Sequence, residues 1–311
     1  MAMILISITI LLLSLFCVGV MIYKLKRQPA VRVSTIDYCK LIGSGIVAFI
    51  ADTLGMGSFA VNIALAKLLG TFHDEELPAM NNGAQVIPGV IESLFFMQVI
   101  DVDLTTLLVL VVGTCLGGVI GGSVVSRLSK QAIRLTMMCC FTLIIGLLLC
   151  RQLHLFPIGG DLMVLESWKL LIGFCGMVVC GMLTSVGIGL FVLVQAVLFL
   201  LGVSPLVAFP IMTTAGAMQQ PLTTLAFLQQ DKIPLKKTLI VSLAGCVGVV
   251  FAVLIFKHLT ITWLHSLLIL IVAYNLIAVS RTYMNTKRGN QADMMPATYR
   301  TSYRQDRENT V

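Results

Sequence analysis

Charge is the scarcest property of this sequence. Only 11% of its 311 residues are Asp, Glu, Lys or Arg, while 58% are hydrophobic and the mean hydropathy is +0.99. A soluble domain carries about 25% charged residues, so a soluble fold is excluded. The familiar catalytic spacings are missing too. There is no Gly-x-x-x-x-Gly-Lys-Ser/Thr loop, which argues against direct ATP drive, no Gly-x-Ser-x-Gly elbow and no His-Glu-x-x-His. The four histidines, His73, His154, His258 and His265, stand near segment ends. Cysteine occurs nine times but never as Cys-x-x-Cys. An odd count without that spacing speaks against a disulfide scaffold or a zinc site. No cofactor or metal is expected, nor enzymatic activity.

What the sequence does have is apolar length. Several runs reach about 20 residues, enough to cross a bilayer core of roughly 30 Å. The reading is an all-α polytopic membrane protein. The net charge of +7 does not indicate a nucleic-acid partner, because the cations sit in short clusters beside apolar segments. These are Lys24, Lys26 and Arg27; Arg127, Lys130 and Arg134; Lys232, Lys236 and Lys237; and Arg281, Lys287 and Arg288. Such clusters mark cytoplasmic loops.

Residues 1–24 are expected to form an N-terminal transmembrane helix with its N-terminus outside, because Lys and Arg follow the run and none precedes it. Residues 25–40 read as a basic cytoplasmic linker and 41–150 as a first membrane repeat. Residues 151–169 read as an inter-repeat loop, 170–282 as a second membrane repeat, and 283–311 as a polar, disordered cytoplasmic tail.

The repeats show as strings. Leu54-Gly55-Met56-Gly57-Ser58-Phe59 returns as Val186-Gly187-Ile188-Gly189-Leu190-Phe191, a spacing of 132. The spacing carries Pro78-Ala79-Met80 onto Pro210-Ile211-Met212, then becomes 131 at Cys115 and Cys246. Residues 41–70 would measure about 45 Å as one helix, longer than the bilayer core requires. The glycines near the middle of 41–70 and 170–201 instead predict re-entrant hairpins with arms of about 13 residues. Each repeat is then a hairpin plus three crossings, an odd number, which inverts the second repeat relative to the first. The expected crossings are the N-terminal helix and approximately 79–100, 104–126, 132–150, 206–229, 238–257 and 262–281. Nine full spans is the alternative topology.

Backbone freed from a helix at membrane depth must face protein or a water-filled cavity. If the two turns meet, their half-helix N-termini offer N–H groups to an anion. The candidate substrate-binding residues are Gly55, Gly57, Ser58, Asn81, Asn82, Gly187, Gly189, Thr213, Thr214 and Gln219, with Asn81 and Asn82 aligned to Thr213 and Thr214. Weaker candidates are Asn62, Thr184, Ser185 and Gln195. Asp52 and Glu92 are the two acids deep in apolar segments, and the second repeat has threonines in their place. Low dielectric favours the protonated form of an unpaired carboxyl, which makes both candidates for proton coupling.

The Gly-Met-Gly-Ser-Phe hairpin, the Pro78 block, their second copies from Gly187 to Pro210, the stretch Gln229-Gln230-Asp231-Lys232-Ile233 and the small residues Gly113 to Gly122 resemble the sulfite exporter TauE/SafE family, also called TSUP. The resemblance covers roughly Leu41 to Arg281. It implies secondary transport, with export as the expected direction, of a small sulfur-containing anion such as sulfite or an organosulfonate. The expected location is the cell membrane, multi-pass, with the C-terminus in the cytoplasm; the expected partners are the anion and the lipid bilayer. The competing class is a membrane-embedded sulfur-relay protein or enzyme using a thiol such as Cys175 or Cys180.

Overall fold

A computed structural model describes residues 2–28, 33–99, 102–153, 155, 159–231, 233–255, 273–274 and 276–284. The expected span 262–281 lies largely outside the described residues, as do the tail from 285 onward, Lys232, His154, His258, His265, Lys287 and Arg288. Among the described residues the chain is all-α, with no β-strand. In chain order the helices are α1 (Ala2–Arg27), α2 (Thr35–Thr53), α3 (Ser58–Leu69), α4 (Leu77–Gln85), α5 (Pro88–Val99), α6 (Leu104–Val125), α7 (Lys130–Gln152), α8 (Ser167–Thr184), α9 (Leu190–Leu200), α10 (Pro205–Gln229) and α11 (Leu235–Ile255). Four of them, α1, α6, α7 and α11, are long and apolar enough to cross a membrane. On α1, Leu5, Leu12 and Phe16 are more than half exposed, while Ile10, Cys17 and Met21 are sealed inside. An apolar outer face of this kind suits lipid as its solvent.

Both glycine-broken segments are hairpins. Lys40 Nζ, near the start of α2, donates to Leu69 O at the end of α3, 3.3 Å away. In the second hairpin Gly176 of α8 packs on Val197 of α9, and Gly173 packs on Leu201 just beyond it. The arms are unequal, 19 and 12 residues in the first hairpin and 18 and 11 in the second. The first arm is longer than the apolar run implies because its helix starts early. Ser34 Oγ accepts from Asp37 N at 3.1 Å, capping the helix seven positions ahead of Leu41.

The two hairpin mouths lie at opposite ends of the molecule. α6 joins them: Thr106 in its first turn accepts from Leu165 N beside the second mouth. Just past its far end, Lys130 and Arg134 pair with Glu75 and Asp74 beside the first mouth. At 1.5 Å per residue α6 measures about 33 Å.

Glycine then lets helices touch backbone to backbone. α8 lies along α6 and α11 along α2. A β-carbon on Gly117 would collide with Val178 O, and one on Gly248 with Ile46 O. Likewise Gly181 abuts Thr114 O, and Gly245 abuts the Phe49 ring. The two interfaces therefore use the same contacts between positions 131 and 132 apart, with the partners exchanged. Small residues at such crossings give close van der Waals packing, which holds membrane helices together.

The segment 79–100, expected as one span, is two helices. Pro88 opens α5 at the first helical position, where its missing N–H costs nothing. The joint closes through Val86 N–H to Gly83 O and Val90 N–H to Ile87 O. α10 instead runs unbroken through Pro210 and Pro221.

Candidate functional site

The two turns meet. A β-carbon placed on Gly57 would lie 3.9 Å from the Cα of Gly189, and one on Gly189 would lie 3.9 Å from the Cα of Gly57. Gly55, Gly57 and Gly187 have φ of 89°, 84° and 101°, a region that L side chains rarely adopt. Gly189 does not share this need, since its φ is −57°. Each turn also packs under the proline segment of the other half: Gly187 against Pro78 and Gly55 against Phe209.

Beside the meeting point the first half builds a cluster the sequence did not announce. Asp52 and Glu92, read separately as lone acids, line one cavity, and Thr53, the residue after Asp52, bonds Glu92 directly. Asp52 Oδ1 accepts from the Ser58 backbone N–H at 2.7 Å, and its Oδ2 accepts from Gln85 Nε2. Ser58 Oγ donates to Gln85 Oε1 at 2.6 Å, closing a ring. Thr53 Oγ1 donates to Glu92 Oε1 at 2.7 Å. All five side chains are buried. The positive N-terminus of α3, expected to greet a ligand, is therefore engaged by the chain's own carboxyl group.

The second half differs. Thr184 stands where Asp52 stands, and its hydroxyl turns back to Cys180 O at 2.8 Å. The N-terminus of α9 thus has no acid over it, and its N-cap, Gly189, makes no side-chain cap bond. Leu190 and Phe191, its first residues, line a cavity together with Asp52, Glu92, Gln85, Thr213 and Gln220. The cavity's free volume of about 10 Å³ is room for one water. The cavity is too small for a polyatomic anion in this conformation.

The remaining candidates divide by position. Thr213 lines the cavity, with its hydroxyl donating to Phe209 O at 3.1 Å. Thr214 lies outside the lining and accepts from Ser93 Oγ at 3.3 Å. Gln219 packs against Gly118 of α6 and donates to Thr223, so the neighbouring Gln220 occupies the cavity position. A one-residue step on a helix turns a side chain by 100°, and only the packing of α10 on α6 selects between the two glutamines. Asn81 and Asn82 flank the Gly187 turn, donating to Phe59 O at 3.3 Å and Pro78 O at 2.9 Å. The side-chain oxygen of each is buried without a partner, as is Gln220 Oε1.

Comparison with family models, curated proteins and solved structures finds no match to this chain. The function rests on the site.

Cys175 is exposed and Cys180 is buried on α8, and neither lines the cavity. Among the described residues no three His, Cys, Asp or Glu side chains group as a metal site. Several basic residues stand at or near the first hairpin mouth. Lys67 Nζ and Arg134 Nε hold Asp74 at 2.5 and 2.7 Å, Lys237 donates to Thr71 O at 2.6 Å, and Lys24 pairs with Asp231. Burial works against ionisation of Asp74, but the two cations outweigh it and hold the carboxyl below its ordinary range.

Proposed function

We propose that the protein is a secondary transporter that carries a small sulfur-containing anion, such as sulfite or an organosulfonate, across the cytoplasmic membrane. The two halves are inverted repeats, the hairpins re-enter the membrane from opposite faces, and the halves rock about a midplane site. The observation that carries this reading is the contact of Gly57 with Gly189 beside a small cavity lined by polar groups from both halves. Unwound backbone at the centre of an apolar molecule has a use where it meets a ligand. The reciprocal contacts of α2 with α11 and α8 with α6 support the two-fold relation, since a duplicated chain related by an axis repeats its interfaces with partners exchanged.

The anion sits at the N-terminus of α9, whose N–H groups carry the positive end of the helix dipole and have no acid over them. Thr213 and Gln220 orient it by hydrogen bonding. The end carrying the first hairpin mouth faces the cytoplasm, because Lys67, Lys130, Arg134 and Lys237 stand there. That orientation leaves the N-terminus outside.

The test is solid-supported membrane electrophysiology on proteoliposomes, screened over sulfite, thiosulfate, sulfoacetate, taurine and acetate. A transport current for at least one sulfur anion is expected. Silence for all of them, from protein that remains folded, would sink the reading.

A further inference from the structure

We infer that the anion occupies this cavity only together with a proton taken up by the Asp52–Glu92 pair, which makes the protein a proton–anion symporter. This rests on the transport reading above and adds the sense of coupling. Asp52 ends α2 and Glu92 lies on α5, so two separate elements bring their carboxyls to one wall of the cavity. Two acids lining one small buried cavity disfavour each other's ionisation, so the pair holds one proton more readily than either acid would alone. Without further protonation the wall is still negative and repels an anion at α9.

Nothing on the packed elements offsets that charge. From α3 comes Ser58, from α4 Gln85, from α9 Phe191 and from α10 Thr213 and Gln220, none of them an acid, a cation or a histidine. α1 and α11 bring the thiols Cys17 and Cys246, which donate to Pro221 O and Ser242 O. The cations of these elements stand at helix ends: Lys40 bonds Leu69 O, Lys67 pairs with Asp74, Lys237 bonds Thr71 O, Lys236 lies over Tyr38, and Lys24, Lys26 and Arg27 are in the last turn of α1. The donors of the first half are spent too, since Asp52 takes the Ser58 N–H and the Gln85 amide. An anion gains room at α9 when the pair becomes neutral.

Thr53 lets Glu92 change state without stranding a polar atom. Its hydroxyl lies 2.7 Å from Glu92 Oε1 and 3.0 Å from Phe49 O. It has one proton to donate. When Glu92 is ionised, Thr53 donates to it. When Glu92 carries a proton, Glu92 donates to Thr53 and Thr53 donates to Phe49 O.

If proton and anion each favour the binding of the other, they cross together, because linkage is reciprocal. An inward proton gradient then drives the anion inward. Export, the direction implied by the resemblance, would require the two to exclude each other.

The full chain is reconstituted in vesicles holding a pH-sensitive dye, and thiosulfate, sulfite and sulfoacetate are each tested for counterflow exchange. For an anion that exchanges, net uptake is followed with an acidic exterior. Internal acidification accompanying anion uptake is expected, as is an apparent affinity that falls about tenfold per pH unit on the alkaline side. Glu92→Gln and Asp52→Asn are expected to abolish the acidification. Asp231→Asn, on the exposed ion pair with Lys24, is expected to keep it and reports that reconstituted protein is intact. Exchange without acidification, or with alkalinisation, overturns the symport inference and leaves the transport reading standing. Acidification that survives in both carboxyl variants also overturns it. No exchange by any of the anions overturns both.

Discussion

Gly57 and Gly189, 132 residues apart in sequence, face each other at the tips of two hairpins that approach from opposite ends of the molecule. The contact is alike on both sides, yet only one of the two glycines is required by its backbone. Gly57 holds φ at 84°, whereas Gly189 at −57° is in a region open to any residue.

The asymmetry separates two variants. Gly57→Ala places a side chain at φ 84° and ψ 125°, outside the left-handed helical well, a strain of about 1–3 kcal/mol. Gly189→Ala adds a β-carbon at an ordinary contact distance of 3.9 Å. Thermal unfolding in detergent is expected to show a clear loss for the first and a small change for the second. Equal losses would mean that contact, and not backbone conformation, governs the tip.

The helix crossings make a paired prediction. Gly117→Ala and Gly248→Ala each drive a methyl group into a carbonyl of the facing helix, Val178 O or Ile46 O. Overpacking of this kind costs about 1–3 kcal/mol. Both variants are expected to lower the unfolding temperature by similar amounts, read by fluorescence-detected size exclusion on heating. A large loss in one and none in the other would break the equivalence of the two interfaces.

Two ion pairs at the first hairpin mouth differ in burial and so in worth. Asp74 is 9% exposed between Lys67 and Arg134, whereas Asp231 is 70% exposed beside Lys24. Asp74→Asn removes the shared carboxylate from two largely buried cations, a loss of about 3 kcal/mol. Asp231→Asn is expected to change stability by less than about 1 kcal/mol. Because Asp74 is held below its ordinary range, its contribution is fully present above the unfolded value of about 3.9. It is lost as pH falls through the folded value. Unfolding temperatures of wild type and Asp74→Asn, measured down a pH series, are therefore expected to converge at the acid end and to separate as pH rises.

The adjacent glutamines separate binding from packing. Gln220→Leu removes a polar group from the cavity wall and is expected to raise the apparent KM for the anion about tenfold, the value of one hydrogen bond of roughly 1.4 kcal/mol. Gln219→Leu leaves KM alone and lowers stability, because its side chain packs on Gly118. Transport assays and melting curves on both variants check this, and the opposite assignment would move the site to the other face of α10.

Much of the site was legible from the strings around Gly55, Gly57, Gly187 and Gly189, because a broken helix leaves its mark in local composition. That both acids are buried was legible from their depth in apolar segments. Their meeting at one cavity was not, because Asp52 and Glu92 sit on different helices, and Thr53 and Glu92, which bond each other, are 39 positions apart. Nor was the role of Gln85, one amide among several in a polar stretch, until the fold turned it toward Asp52. The break at Val86–Ile87 was also hidden, since Pro88 stops α4 while Pro221 fails to stop α10.

By itself the sequence determined the all-α apolar architecture, the two hairpins and the glycines on which they turn, since hydropathy and backbone freedom are properties of short stretches. The tertiary structure alone decided which donors remain for a ligand. It placed Asp52 over the N-terminus of α3 and left α9 without an acid, set Gln220 rather than Gln219 in the cavity, and joined two distant carboxyls into one pair. Those outcomes depend on how helices far apart in the chain rotate against each other, and that rotation is fixed by packing across the whole core.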